Sequence, residues 1–583
     1  MQEQIKNLIK NALDIKIEAK EVVLERPADL QMGDYSTNVA FILAKKLKTS
    51  PVELAEKIAG QLRSNLKNSP RSDLEKIEAV SGFVNFYLNK YFFQESVKKI
   101  LDNKNFGRNH LFKSKKIMIE YTDPNPFKPF HIGHLMTNAI GESISRIVEN
   151  GGAKVLRANY QGDAGLHIAK AIWGILKSEE YEKRKEFIDL GGDVAVAASW
   201  IGECYVKGAE AYENDNIKKE IDEINKKIYE GINGAGNEKI NEIYDWGFKT
   251  TMEAFEGLYK ILGTKFDLYF LESEVAALGE KLVRDNVGKV FEASDGAIVF
   301  KAEKYDPRLH TRVFITSGGL PTYETKELGL TEAKFETRAD LDLSLVITAN
   351  EQADYMRVVA KALSMIEPNG SEHEKKMKHI THGMMRFAAG KMSSRKGNVV
   401  TGESLIRDAR AAILEKISDR DFSDQEREEV ASGVGVAALK YSILKSSIGG
   451  DIIYDFEKSI SFEGDSGPYL QYSYARARSI LNKAEAEGVA PGFGNLPENV
   501  SELERLLCRF PEAAHRAGEE YAPHYIANFL IELSRSFNTY YGNTKIIDKN
   551  DPLSAYRVAL TEAFSIVLRN GLHLLGIAAP ERM

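Results

Sequence analysis

Two short stretches carry residue types suited to phosphate chemistry. In His131-Ile132-Gly133-His134 two imidazoles stand three residues apart around a glycine. Their N–H groups can donate to phosphate oxygens whose charge shifts during a reaction, which makes them stabilisers of a transition state rather than nucleophiles. Gly133 lets a flat base or ribose approach the backbone closely. Far downstream, Lys391-Met392-Ser393-Ser394-Arg395-Lys396 interleaves three cations with small residues between Gly390 and Gly397. That composition suits a loop that closes on polyphosphate and neutralises pyrophosphate as it leaves. A basic run alone is usually solvated surface, and a lone His-x-x-His is usually structural. Together they point to one ATP-handling site.

The elements that must hold these residues are legible around the first stretch. Lys116-Ile117-Met118-Ile119-Glu120-Tyr121 is a strand-like run broken at Thr122-Asp123-Pro124-Asn125-Pro126, where two prolines forbid both helix and central strand. Leu135, Met136, Ala139, Ile140, Ile144, Ile147 and Val148 then recur at helical spacing. Gly151-Gly152 ends that helix before a second strand, Lys154 to Tyr160. In such a βαβ unit the loop after the first strand and the helix N-terminus lie at the carboxyl edge of a parallel sheet, where nucleotide phosphates meet free backbone N–H groups.

Composition limits the alternatives. A chain of 583 residues, 43% hydrophobic and 28% charged, is long enough for two to four domains of ordinary globular make-up. Its formal charge of −7 provides no global basic face, so any nucleic-acid contact must use local patches. No run approaches the roughly 20 apolar residues of a membrane span. The N-terminal Ile5, Leu8, Ile9, Ala12, Leu13 pattern is an amphipathic helix rather than a targeting peptide, and a cytoplasmic location is expected. The two cysteines, Cys204 and Cys508, lack both a disulfide framework and metal-ligand spacing, and His-x-x-His supplies only two ligands, so no protein-bound zinc is expected.

The two stretches resemble the HIGH and KMSKS signatures of class I aminoacyl-tRNA synthetases, and the detailed strings resemble the arginyl-tRNA synthetase family. Gly33-Asp34-Tyr35-Ser36-Thr37-Asn38, Leu320-Pro321-Thr322-Tyr323, Gly467-Pro468-Tyr469-Leu470-Gln471-Tyr472 and the ending Pro580-Glu581-Arg582-Met583 support the narrower match. The resemblance covers essentially the whole chain. It implies an α/β protein: a Rossmann-type parallel-sheet catalytic domain with a helical insertion, an N-terminal α/β additional domain and a C-terminal all-α helix-bundle domain. The corresponding boundaries are 1–105, 106–409 with the insertion at about 168–265, and 410–583. Within the insertion, Ile217, Ile221, Ile224, Ile228 and Ile232 form a stripe for helix packing. The Rossmann pattern resumes near Val313-Phe314-Ile315 and at Leu343 to Thr348, the latter a buried parallel strand.

The resemblance also implies residue roles. Lys128, His131, His134, Lys391, Arg395 and Lys396 act on the reacting phosphates, with Pro129, Ile132, Gly133, Gly390, Met392 and Ser393 contacting ATP. Arginine is met by Glu120, Asn125, Asp163, Tyr323, Glu327 and Gln352. Tyr323 and Glu327, four apart on a helix, share one face and can present a ring and a carboxylate to a guanidinium. The family commonly has aspartate at the second position, so Glu327 is a departure. Another is Ser394, which stands where KMSKS has its second lysine; Lys128 could supply the missing ammonium from the opposite side. Asn85 and Phe86 in the N-terminal domain, and Tyr469, Tyr472, Arg476 and Met583 at the C-terminal end, are implied tRNA contacts, the aromatic and guanidinium groups being suited to stacking on unpaired bases.

The expected activity is arginine–tRNA ligation by a monomer, with ATP and Mg2+ as substrate and tRNA required for adenylate formation. Two rivals remain at this stage. A small-molecule nucleotidyltransferase or adenylate-forming ligase also uses His-x-x-His beside a mobile basic loop, but leaves the helical C-terminal third without a purpose. An RNA-binding paralogue without activity would not need His131, His134 and Lys391 intact.

Overall fold

The computed structural model describes residues 1–13, 22–27, 29–67, 73–232, 234–235, 237–366, 368–388 and 400–583. The chain forms two compact units: one of residues 1–104, 481–509 and 539–566, the other of residues 105–480, 510–538 and 567–583. Residues 410–583 contribute to both units. Among the described residues no helix is long and apolar enough to cross a membrane.

The first unit is built on an antiparallel sheet of β1 (Leu24–Glu25), β2 (Tyr35–Thr37), β3 (Leu74–Val80) and β4 (Phe83–Leu88), in the order β1-β2-β4-β3. The amphipathic Gln2–Ala12 helix buries Ile5, Ile9 and Ala12 in the same core as Phe86, Ile58 and Leu43. The Glu502–Leu507 helix joins this unit, with Arg505 paired to Asp34.

The second unit carries the site. Its central sheet consists of β5 (Lys116–Glu120), β6 (Lys154–Gln161), β7 (Leu268–Leu271), β11 (Leu343–Ala349) and β12 (Met377–His382), all parallel and ordered β12-β11-β5-β6-β7. The chain winds one way from β5 through β6 to β7 and the other way through β11 to β12. The β5–β11 boundary is therefore a topological switch point, where the loops at the carboxyl ends splay apart and leave room for a ligand. The middle of β5 is apolar because the strand is covered on both faces; Ile117, Met118 and Ile119 are buried between Lys116 and Glu120 at its ends.

Between β6 and β7 the described residues form five helices, Leu166–Leu176, Tyr181–Asp189, Val194–Ala211, Asp215–Ile232 and Glu238–Leu262. The isoleucine stripe works as packing surface: Ile221, Ile224 and Ile228 are buried with Trp200 and Ile172, and Ile217 packs against them. The expectation for Val313-Phe314-Ile315 needs correction. This segment is β10 (Arg312–Ile315), and it pairs antiparallel with β9 (Ala297–Phe300), itself antiparallel to β8 (Glu292–Ser294), in a separate three-stranded sheet. A short apolar run signals a strand but not its direction or its sheet.

The Glu272–Asp285 and Tyr323–Thr337 helices cross through glycine. A Cβ on Gly279 would meet Thr325 O at 2.0 Å, and one on Gly329 would meet Val275 O at 2.1 Å. Their backbones approach so closely only because both positions lack a side chain. That crossing sets the depth of the helix bearing Glu327.

Candidate active site

The loop from β5 into the Ile132–Asn150 helix holds three non-glycine residues in the left-handed region: Thr122 at φ 81°, Asp123 at φ 47° and Phe127 at φ 67°. Each costs on the order of 1 kcal/mol or more and survives only where its surroundings over-determine it. Here they do. Asn138 Nδ2 donates to Thr122 Oγ1 at 3.0 Å, the Tyr160 backbone N–H donates to Asp123 Oδ1 at 2.8 Å, and the Phe127 ring is wholly buried among Ile168, Ile172 and Ile201. The loop is thereby fixed between the sheet and the helical insertion.

It delivers His131 and His134 to the first turn of the helix. The two rings stack with centroids 3.4 Å apart, and the His131 backbone N–H donates to His134 Nδ1 at 3.2 Å. An Nδ1 that accepts carries no proton, so the N–H of a neutral His134 is on Nε2. Burial, then the His131 ring and Lys128, hold the His134 pKa well below the usual imidazole range; burial and Lys128 also lower that of His131. Both are neutral donors at physiological pH. A Cβ on Gly133 would stand 2.9 Å from a His131 ring carbon, so glycine there leaves room for the stacked pair.

Lys128, Asn125, Pro129 and His131 line a cavity of about 1540 Å3. Burial and Lys170 lower the Lys128 pKa, and its ammonium lies 5.3 Å above the Tyr205 ring. Gly390, Lys391, Met392, Ser393, Ser394, Arg395 and Lys396 lie outside the described residues. Their described neighbours, however, meet the first motif. Thr401 bridges His131 in antiparallel register, and the Gly402 N–H donates to Phe130 O at 2.9 Å. On the other side β13 (Met385–Phe387) pairs with β14 (Ile452–Tyr454), and the Ala388 N–H donates to Tyr454 O. Phe387, Ala388, Val400 and Thr401 line the same cavity as Lys128 and His131.

The acidic residues gather at the neighbouring strand ends. Glu120 closes β5 and pairs in register with Val346 of β11, which runs on into the turn holding Gln352. Glu327 is buried on the Tyr323–Thr337 helix, and its Oε1 has no hydrogen-bond partner among the described residues. Burial pushes its pKa up to about 7, with Glu120 adding to the effect and Lys334 opposing it. Burial and Glu120 likewise raise that of Asp123. Tyr323, at the start of the helix, is 75% exposed, so the ring and the Glu327 carboxylate share a helix at very different depths. Asp163 is fully occupied: it accepts from the Ser273 N–H, the Ser273 hydroxyl and the Tyr244 hydroxyl.

Other expected residues lie apart from this cluster. Phe86 is wholly buried and Asn85 nearly so, its Oδ1 accepting from the Ser36 hydroxyl at 2.7 Å; both side chains serve the core of their sheet. Tyr469, Tyr472 and Arg476 do share one helix, Gly467–Ala486, with the Arg476 guanidinium 4.8 Å above the Tyr472 ring and Asn538 donating to the Tyr469 hydroxyl. Met583 packs against Ile413 and Val434. Sequence reasoning overlooked Lys334, which is 1% exposed beside Glu120. Its signal was a charged residue seven positions beyond Glu327, two turns along the same helix face.

Comparison with known proteins follows this geometry. Residues 96–456 match the family described as "tRNA synthetases class I (R), catalytic domain". The chain belongs to the class I arginyl-tRNA synthetases. Residues 1–88 match the arginyl tRNA synthetase N terminal domain, and residues 470–583 the DALR anticodon binding domain. The arginine–tRNA ligase of Borrelia hermsii is 30% identical over 98% of this chain and 96% of its own length; that of Clostridium beijerinckii is 30% identical over 100% and 99%. The arginyl-tRNA synthetase structure of Thermus thermophilus shares the fold with a TM-score of 0.78 and 23% identity, each chain being covered in full.

Proposed function

We infer that this chain is an arginine–tRNA ligase. A carboxylate oxygen of arginine attacks the α-phosphate of ATP, the bond to the bridging oxygen breaks, and pyrophosphate leaves. A hydroxyl of the 3′-terminal ribose of tRNA then attacks the arginyl carbonyl and displaces AMP. In-line attack of this kind needs positioning and charge stabilisation rather than a protein nucleophile. The neutral N–H groups of His131 and His134 serve the phosphates at the helix N-terminus, where the dipole adds to their effect. Lys128, together with Lys391, Arg395 and Lys396, neutralises the departing pyrophosphate. Magnesium arrives with ATP as part of the substrate.

The observation that carries this reading is the double use of β5. Its last residue, Glu120, belongs to a buried acidic cluster fit for a guanidinium, and the loop it enters ends on His131 at the cavity. One strand end thus brings an amino acid with a cationic side chain toward a phosphate-binding helix terminus. We assign the contact with unpaired bases of the tRNA to Tyr472 and Arg476, whose ring and guanidinium are groups of the kind that stack on such bases.

ATP–pyrophosphate exchange with each amino acid in turn, with and without tRNA, tests the reading. Exchange is expected with arginine alone and only when tRNA is present. Exchange with another amino acid would overturn the specificity.

A further inference from the structure

Lys334 sits where a lysine is costly. Its side chain is 1% exposed on the Tyr323–Thr337 helix, and its ammonium forms an ion pair with Glu120 Oε2 at 2.6 Å. A buried charge survives only against an opposite charge. Burial works against the ammonium, but Glu120 and Glu327 outweigh it, and the Lys334 pKa rises. Glu327, two turns earlier on the same face, keeps a buried oxygen without a partner.

The charge count is informative. Glu120 and Glu327 together bring two negative charges, and Lys334 returns one. Asp123, whose proton affinity is raised, adds least. One guanidinium would bring the cluster to neutrality. We propose that Lys334 is a positioning residue for substrate selection: as fixed counter-ion of Glu120, it leaves Glu327 as the carboxylate with an uncompensated charge and an open oxygen for the guanidinium of arginine. This rests on the reading of that pocket as the arginine site. Without the ammonium, two buried carboxylates share the space and retain a proton between them, as like charges at short range do. That proton occupies the place the guanidinium needs.

The groups facing Lys334 are Glu120 and Asp123 at the end of β5, Glu327 on its own helix and His379 of β12; Tyr160 of β6 and Tyr355 of the Ala353–Leu363 helix face the same carboxylates. Burial raises the pKa of both tyrosines and lowers that of His379 to about 4, so all three stay neutral from pH 6 to 9. The carboxylates therefore dominate titration in that range.

The test compares Lys334→Met, Lys334→Gln and Lys334→Arg in tRNA-dependent pyrophosphate exchange, with urea unfolding as a check on folding. At pH 7 the Met and Gln variants should raise KM for arginine about tenfold, the effect of one unit of carboxylate pKa. KM for ATP and kcat should change much less. The deficit should shrink as the pH is raised to 8.5 and the carboxylates lose their shared proton. The Arg variant, which keeps the charge, should recover most of the affinity. Inhibition by citrulline, the neutral urea isostere, should barely respond. Calorimetry on the unaltered protein in buffers of different ionisation heat should show well under one proton released per arginine bound at pH 7.5. An unchanged KM and pH profile in a folded variant, equal losses for arginine and citrulline, or release of a full proton would each overturn the proposal. Glu327→Gln separates the two layers: if it leaves KM for arginine unchanged, the pocket reading itself fails. If it raises KM while the Lys334 variants do not, the pocket stands and the role of Lys334 falls.

Discussion

The two sides of the active site handle charge in opposite ways. On the side we assign to the nucleotide, the polar groups at the helix terminus are two stacked, neutral imidazoles, of which His131 lines the large cavity. On the amino-acid side the groups are buried carboxylates, already partly compensated by an internal ammonium. The difference follows from what each side must do. Phosphate charge redistributes during the reaction, so donors that stay fixed and neutral stabilise the transition state without holding the product. The guanidinium keeps its charge throughout and must only be selected, and selection is sharpest where an unmatched charge cannot be hydrated.

Replacing His134 should break the comparison most visibly if it is wrong. His134→Ala removes an Nε2 donor and the acceptor for the His131 N–H, so adenylate formation should fall by roughly 10²–10³, the usual cost of a fixed transition-state donor. KM for arginine should hardly move. Equal effects on kcat and on arginine KM would mean that the two sides are not separable.

Lys128→Ala is the next largest. Lys207 and Arg407 also line the cavity, but the Lys128 ammonium is the cation that acts on the His131 ring, and we assign it the role of the lysine that Ser394 replaces in the KMSKS pattern. Adenylate formation should slow by about ten- to a hundredfold, in line with the loss of a charge-assisted contact of ~1.5–3 kcal/mol. Arginine binding, measured directly by calorimetry, should remain nearly intact. An unchanged exchange rate would dispose of this role.

The nucleotide side was the more legible of the two because it is local. Residues 116–161 contain strand, loop, motif helix and second strand; the sequence pattern placed β5 and β6 within a residue of their observed ends, and its helical run from Leu135 to Val148 lies inside the Ile132–Asn150 helix. The amino-acid side joins Glu120 at the end of β5 to Glu327 and Lys334 on the Tyr323–Thr337 helix, residues far apart in the chain that meet through the Lys334–Glu120 ion pair, while Gln352 follows β11, the strand paired with β5. Resemblance supplied Glu120, Glu327 and Gln352, but the one mark of Lys334 in the sequence was its spacing of seven from Glu327, which does not say whether that helix face is turned inward. A lysine among Leu328, Leu330 and Phe335 looks like a solvated edge until the helix crossing at Gly279 and Gly329 turns it inward. The β10 segment failed for a related reason, since three apolar residues do not say which strand they pair with.

A second buried lysine sharpens the comparison outside the active site. Lys440 is wholly buried like Lys334, but its ammonium donates to two backbone carbonyls, Leu262 O at 2.6 Å and Gly576 O at 2.8 Å, at the ends of the Glu238–Leu262 and Ser554–Leu574 helices. Burial, then Arg146, lowers its pKa to about 7, against the rise at Lys334. Carbonyl dipoles do not replace a carboxylate. Between about pH 7 and 10 the unfolded chain holds a proton at this position that the folded chain lacks, so the unfolding free energy should rise with pH in that window, by at most about 4 kcal/mol. Below pH 7 both states are protonated and the contribution is flat. Lys440→Met should remove that slope while costing roughly 1–3 kcal/mol for each carbonyl left unpaired. If urea unfolding of the Met variant keeps the wild-type slope from pH 7 to 9, Lys440 is charged in the fold. Carbonyls alone would then suffice to hold an ammonium in this core, and the carboxylate beside Lys334 would no longer explain why that lysine is charged.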